Sequence, residues 1–245
     1  MNSRKLLAPD SPDAEDKKAA EPFRRLPRFY GRRKGKPLRQ LKRELIQTLL
    51  PALAIPTPAE GLTLDPRTLF PVPPKEVWLE VGFGAGEHTA AQALAHLDVG
   101  LIASEVFLNG LGGLLKHIAA QSLSNIRIYP EDARKLLPAL PDNCLAKVFV
   151  LFPDPWPKKR HAERRFIGPA NLDQISRLLK PGGELRVASD HLVYIDWTLE
   201  QMALRPDFVP TIRTGDRPSD WPPSRYEQKA AEKGIARAYM AWVKR

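Results

Sequence analysis

A chain of 245 residues, 43% of them hydrophobic, can bury one large core or two small ones. Its 38 Lys and Arg stand against 28 Asp and Glu, a net charge of +10 that favours a polyanionic partner, nucleic acid first and an acidic membrane surface second. The single cysteine, Cys144, excludes intrachain disulfides and Cys-rich zinc sites, and no apolar run approaches the roughly 20 residues that span a bilayer.

In chain order, residues 1–21 are polar, mixed in charge and broken by prolines, a composition that predicts a disordered tail. Its acids, Asp10, Asp13, Glu15 and Asp16, argue against a signal or transit peptide, so a cytoplasmic protein is expected. Residues 22–74 read as a basic arm, a short helix and a proline-rich connector. From Pro22 to Arg43 there are ten Lys and Arg and no acid, with Phe23, Phe29 and Tyr30 interleaved, the pattern of a segment that orders on RNA. Leu38 to Leu50 suits a short helix, and seven prolines between Pro51 and Pro74 predict an irregular connector.

The remainder, 75–245, alternates strand and helix. Val77 to Glu80 reads as a buried strand, followed by glycines at 82, 84 and 86 and a helix through His88 to Leu97. Further strands are expected at Val99–Val106, Asn125–Tyr129, Leu145–Phe152, Glu184–Ala188, Phe208–Arg213 and Ala236–Val243. Helices are expected at Phe107–Gln121, Ala133–Leu140, Pro169–Leu179 and His191–Leu204, with Pro181-Gly182-Gly183 as the stop after the third of these. The reading is an α/β, Rossmann-like fold: a mainly parallel seven-stranded sheet, helices on both faces, and antiparallel pairing at one edge.

Ligands of such sheets bind beyond the carboxyl ends of the strands, so the acids there are candidates. The glycines are spaced G-x-G-x-G, unlike the G-x-G-x-x-G of a dinucleotide loop, and Glu80 stands just before them. A carboxylate repels a pyrophosphate but attracts the sulfonium and ammonium of S-adenosylmethionine. Glu105 ends the second strand, 25 residues after Glu80, where an acid takes ribose hydroxyls. Asp132 follows the third strand and suits an adenine amino group. Asp154 and Asp190 follow the fourth and fifth. Acids at strand ends also serve as helix N-caps, so each has a structural reading beside the functional one.

Phe152 to His161, FPDPWPKKRH, carries the sharpest signal. Three prolines hold Asp154 and Trp156 in a bend, as an Asp-Pro-Pro-aromatic stretch does in amino-directed nucleic-acid methyltransferases. Lys158, Lys159 and Arg160 follow where phosphates bind. The histidines lack metal-ligand spacing, and no metal site is expected.

Taken together, LEVGFGAGE at 79–87, the acids in SEV and EDA, FPDPWPKKRH, and the Ser189-Asp190 pair resemble the bacterial tRNA (guanine-N7)-methyltransferases. SRYE at 224–227 is similar to that family's Thr-x-aromatic-Glu motif, with Ser224 replacing Thr and keeping the hydroxyl. The resemblance runs from about residue 23 to the end. It implies transfer of a methyl from S-adenosylmethionine to N7 of the variable-loop guanine at position 46 of tRNA. It implies cofactor contacts at Glu80, Gly82, Gly84, Gly86, Glu105, Asp132 and Asp154, with Asp154 also catalytic. Substrate contacts fall on Lys158, Asp190, Ser224, Arg225, Tyr226 and Glu227. A methyltransferase of another base or of protein, or a catalytically silent tRNA-binding protein, are the rival readings. Monomer and homodimer both stay open.

Overall fold

The computed structural model describes residues 31–222 and 236–245. The expected tail at 1–21, the first part of the basic arm and the SRYE stretch lie outside the described residues.

Seven strands form one sheet in the order β3-β2-β1-β4-β5-β7-β6. They are β1 (Glu76–Val81), β2 (Val99–Ser104), β3 (Ile126–Tyr129), β4 (Leu145–Leu151), β5 (Leu179–Ser189), β6 (Phe208–Thr214) and β7 (Ala238–Lys244). The first five run parallel, and β7 pairs antiparallel with both β5 and β6. The antiparallel strand therefore lies one in from the edge, with β6 outermost. Chain order reverses between β1 and β4, where a crevice opens at the carboxyl ends of the strands.

The central strands are buried on both faces, which is why they read as apolar runs rather than as alternation. One face packs α3 (Glu87–Ala95), α4 (Leu108–Gln121) and α1 (Gln40–Thr48) over Trp78, Leu101, Ile126 and Phe149. The other packs α5 (Pro169–Leu178) and α6 (Leu192–Ala203) over Leu79, Val148, Leu185 and Val187.

Three elements differ from the sequence reading. The helix expected over 133–140 is two successive 3₁₀ turns, Ala133–Lys135 and Leu137–Ala139. Pro138 has no N–H to give and its ring crowds the preceding turn, so an α-helix does not continue through it. Pro181-Gly182-Gly183, expected to stop a helix, instead bulges out inside β5. Leu145 pairs with Leu179 and Lys147 already with Glu184, and Gly182 takes φ +78°. The connector after α1 is more ordered than its prolines suggest. It holds α2 (Leu50–Leu53) and a 3₁₀ turn at Pro66–Leu69 capped by Asp65. At Ala54 it bridges to Ile128 of β3, the edge strand, while Ile55 and Phe70 are buried in the core.

Candidate active site

The glycine loop after β1 is the floor of the site. Gly82, Gly84 and Gly86 have φ of +74°, +62° and +88°, a region L side chains adopt at a cost. A Cβ on Gly82 would meet nothing within 4 Å, although Gly82 lines the crevice, so the main chain there is open to a ligand. Gly86 does another job. It precedes α3 in the left-handed conformation, and a Cβ on it would lie 2.6 Å from Cβ of Leu114.

Helix α4 holds this loop down with glycines of its own. A Cβ on Gly110 would stand 2.2 Å from the carbonyl oxygen of Gly84, and one on Gly113 would stand 2.6 Å from that of Ala85. Three residues apart, Gly110 and Gly113 share a helix face and let two backbones meet. The sequence reading passed over this pair; the signal was the N-G-L-G-G run inside an otherwise apolar helix.

Glu105 joins the two elements. Its Oε2 accepts from Gly84 N at 3.0 Å, and its Oε1 accepts from Val106 N at 2.8 Å and Phe107 N at 2.9 Å. Burial pushes its carboxyl above the ordinary range. The three amide donors oppose that push, and the nearby charge of Asp154 adds to it. Glu80 is placed differently from the expectation. It is 3% exposed and does not line the crevice. Its Oε2 accepts from His88 Nδ1 at 2.9 Å and Thr89 Oγ1 at 2.7 Å. Gln92 Nε2 stands 3.3 Å from the ring's other nitrogen, and Phe149 meets the ring edge-on at 5.0 Å. A carboxylate this deep needs such partners, and here they come from α3, behind the glycine loop.

At the end of β3, Asp132 is buried and its carboxylate is held by its neighbour Arg134, through Nε at 3.0 and 3.1 Å and a terminal nitrogen at 2.5 Å. Asp132 Oδ1 also accepts from Arg134 N, capping the 3₁₀ turn. The acid expected to take an adenine amino group is thus already engaged inside the chain. Glu131 pairs with Arg33 of the arm at 3.0 and 3.2 Å and with Lys135 at 3.0 Å, which hold its carboxyl down at about 2. The arm lies close: Gly31 and Arg32 line the crevice, and the Arg33 carbonyl accepts the Leu108 amide, one of the free donors at the start of α4.

Across the crevice, Asp154 lines the rim and is solvent-exposed. Phe152 and Trp156, two and two residues to either side, have φ of 49° and 42°. The Arg164 guanidinium lies 5.0 Å over the Trp156 ring, which His161 meets edge-on at 5.8 Å. The crevice holds about 440 Å³ and brings together Gly82, Gly84, Glu105, Asp132 and Asp154. Glu80, Gly86, Lys158 and Asp190 are not part of its lining. Lys158 is exposed at the start of the 3₁₀ turn Lys159–Arg164, and Asp190 is half-buried before α6. Ser224, Arg225, Tyr226 and Glu227 lie outside the described residues.

Among the described residues no group of His, Cys, Asp or Glu is arranged to hold a metal ion, and no helix is long and apolar enough to cross a membrane. A volume of this size is that of a small-molecule site. Open backbone at Gly82 and two carboxylates, Glu105 and Asp154, lining one crevice fit a cationic nucleoside such as S-adenosylmethionine.

Comparison with known proteins agrees with this geometry. Residues 74–239 match a family model described as a putative methyltransferase. The chain is 54% identical to the tRNA (guanine-N(7)-)-methyltransferase of Rhodospirillum rubrum over 224 residues, covering 89% of this chain and 88% of that one. It is 53% identical to the protein of the same name from Paramagnetospirillum magneticum, covering 83% and 87%. Among solved structures, the 16S rRNA methyltransferase KamB has a TM-score of 0.53 at 14% identity, over 70% of this chain and 89% of its own. TrmN from Thermus thermophilus also gives 0.53, at 17% identity, over 84% of this chain and 48% of its own. These two share the fold.

Proposed function

The chain belongs to the tRNA (guanine-N(7)-)-methyltransferase family, and from that premise we infer that it transfers a methyl group from S-adenosylmethionine to N7 of a guanine in tRNA. We propose further that the guanine is the variable-loop one at position 46. A cytoplasmic location follows from a tRNA substrate. The observation that carries the chemical reading is the meeting of Glu105 and Asp154 at one crevice, on either side of the glycine loop.

When bound, S-adenosylmethionine supplies a methyl group activated by its sulfonium. The residues suited to hold it are Gly82 and Gly84 at the methionine end and Glu105 at the ribose hydroxyls. The Asp132–Ala133 turn suits the adenine. Because Arg134 already takes the Asp132 carboxylate, adenine recognition there rests on the turn's shape and on whatever lone pairs remain. Glu80 acts one step back, by holding α3 against the glycine loop through His88 and Thr89.

Guanine N7 carries a lone pair and no proton, so the reaction needs no base at that atom. It needs alignment, which is worth roughly 7–11 kcal/mol when two reactants are held in line. The purine gains positive charge as the bond forms, and Asp154 on the rim is placed to stabilise it. Asp154 is thus an orienter and charge stabiliser. Lys158 and the exposed Lys159 and Arg160 beside it suit tRNA phosphates, and by resemblance Asp190 and Ser224 to Glu227 complete the substrate contacts.

The test is labelled methyl transfer to an unmodified tRNA transcript, followed by nucleoside analysis and mapping. 7-Methylguanosine at position 46 is expected, and a different methylated nucleoside overturns the reading. Asp154→Asn keeps the shape and loses the charge. Its single-turnover rate is expected to fall on the order of 10²–10³, with both affinities changed only severalfold. A near-wild-type rate removes Asp154 from the chemistry.

A further inference from the structure

The loop that carries Asp154 takes a conformation its residues do not favour. Phe152 and Trp156 are bulky aromatics in the left-handed region, at φ 49° and 42°, and such residues stay there only where the surroundings over-determine them. For Phe152 the restraint comes from the sheet. Its amide donates to the Ala188 carbonyl of β5 at 2.8 Å, and its ring meets Tyr239 of β7 edge-on at 6.3 Å.

At Trp156 the Arg165 side chain holds the main chain. Arg165 is 6% exposed, and its Nε donates to the Pro155 carbonyl at 3.2 Å while a terminal nitrogen donates to the Trp156 carbonyl at 2.9 Å. These two carbonyls belong to the peptide planes before and after the Trp156 Cα. Fixing both fixes the φ and ψ of that residue, and with them the bend that begins at Asp154. Behind, the guanidinium lies 4.9 Å over the Trp197 ring, and Trp197 Nε1 donates to the Ile167 carbonyl. Arg165 is therefore anchored to α6 and the start of α5, outside the loop it holds.

Among the described residues Arg165 forms no ion pair with a carboxylate. A buried cation satisfied by two carbonyls and an aromatic face is an expensive way to fill space, and an aliphatic side chain would pack there at less cost. Its fork geometry is what an aliphatic residue or a lysine cannot supply: two donors in one plane, spaced for two acceptors.

We propose that Arg165 is a positioning residue for Asp154: by bridging the Pro155 and Trp156 carbonyls it holds the left-handed turn that keeps the carboxylate on the rim of the crevice. This rests on the role given to Asp154 above, and the experiment separates the two. Wild type, Asp154→Asn, Arg165→Lys and the double variant are compared by single-turnover methylation of tRNA at saturating cofactor. Affinities for S-adenosylmethionine and tRNA and the melting temperature are measured beside them.

If wild type makes 7-methylguanosine and Asp154→Asn is slow, the reading of the site stands and Arg165 is under test. Arg165→Lys is then expected to lower the rate roughly 10- to 100-fold, as small misplacements of a reacting group do, with both dissociation constants within threefold. Added to Asp154→Asn it is expected to slow the reaction no further than about twofold, because it acts through that carboxylate. Arg165→Ala is expected to regain part of its rate with methylguanidinium and none with methylammonium at equal ionic strength. An unchanged rate in Arg165→Lys overturns the proposal. So does a loss that multiplies with that of Asp154→Asn, or a rate that falls only in step with both affinities and the melting temperature.

Discussion

Gly110→Ala tests whether α4 and the glycine loop form one cofactor cradle. Two effects oppose each other. Alanine is a better helix former than glycine by about 1 kcal/mol, and Gly110 sits in the first turn of α4, so helix propensity alone predicts a modest gain. Against it, the new Cβ lies 2.2 Å from the Gly84 carbonyl oxygen and 3.2 Å from Cγ of Glu105. Carbon and oxygen come no closer than about 3.3 Å in ordinary contact, so the loop must retreat by about an ångström. The obstacle is backbone, and it is not free to rotate: Gly84 already sits at φ +62° with its N–H on Glu105. Overpacking of this kind costs ~1–3 kcal/mol. The net loss of stability is then small, about 0–2 kcal/mol, while the displacement falls on Gly84 and Glu105 themselves. S-adenosylmethionine affinity is expected to drop tenfold or more by calorimetry, with tRNA affinity nearly unchanged. Gly112→Ala is the control, with the same propensity gain on the same helix. Its Cβ meets the Lys42 side chain at 2.9 Å, so the strain falls on α1 and cofactor affinity stays within about twofold. Wild-type cofactor binding by Gly110→Ala would refute the idea that this glycine contact shapes the pocket.

Glu105→Ala removes a charged acceptor of three amides and is expected to weaken cofactor binding at least tenfold, since a hydrogen bond to a charged group is worth roughly 1.5–3 kcal/mol. Calorimetry showing an unaltered affinity takes Glu105 out of the pocket. For Glu131 the sign follows from its lowered carboxyl, about 2 in the fold against an ordinary 4.5. The stabilisation from Arg33 and Lys135 is fully present above about 4.5 and is lost as pH falls toward 2. Both partners are partly exposed, so the effect is modest. Thermal unfolding of Glu131→Gln should show a deficit at pH 6 that closes near pH 2, and a deficit independent of pH rules out the ion pairs as its origin.

The parts of the site that could be read in the sequence are those whose signal is local. A glycine loop after an apolar run, an acid at the end of the next strand and a proline-stiffened bend each announce themselves within about ten residues. What stayed hidden depends on contacts between distant elements. Gly110 and Gly113 look like weak points in a helix until Gly84 and Ala85 are seen against them. His88 has no ligand-like spacing, and only the fold shows it bound to Glu80. Glu80 and Glu105 look equivalent as acids at strand ends. The difference is that Glu80 lies inside β1, where α3 covers it, whereas Glu105 follows the last residue of β2 and reaches the crevice. The insertion of β7 between β5 and β6 is likewise invisible in chain order, because a strand pattern states that a strand exists and not which neighbours it takes.

The two sides of the crevice are held by different means, and the chemistry accounts for both. On one side Glu105 ties the glycine loop to the start of α4 through three amides, and the Leu108 amide extends the tie to Arg33 of the arm. On the other, the Asp154 loop hangs between β5 at Phe152 and Arg165 at Trp156. Methyl transfer to a bare lone pair needs no base, but its barrier falls only when nucleophile, methyl and sulfonium are in line. Asp154 and Glu105 line the same crevice, where the charge of Asp154 adds to the burial that raises the Glu105 carboxyl, and a cationic ligand there is attracted by both. The same pair of acids therefore favours a cation and, as the methyl moves, faces the positive charge that leaves the sulfonium and grows on the purine. For that arrangement a fixed carboxylate is worth more than a basic one.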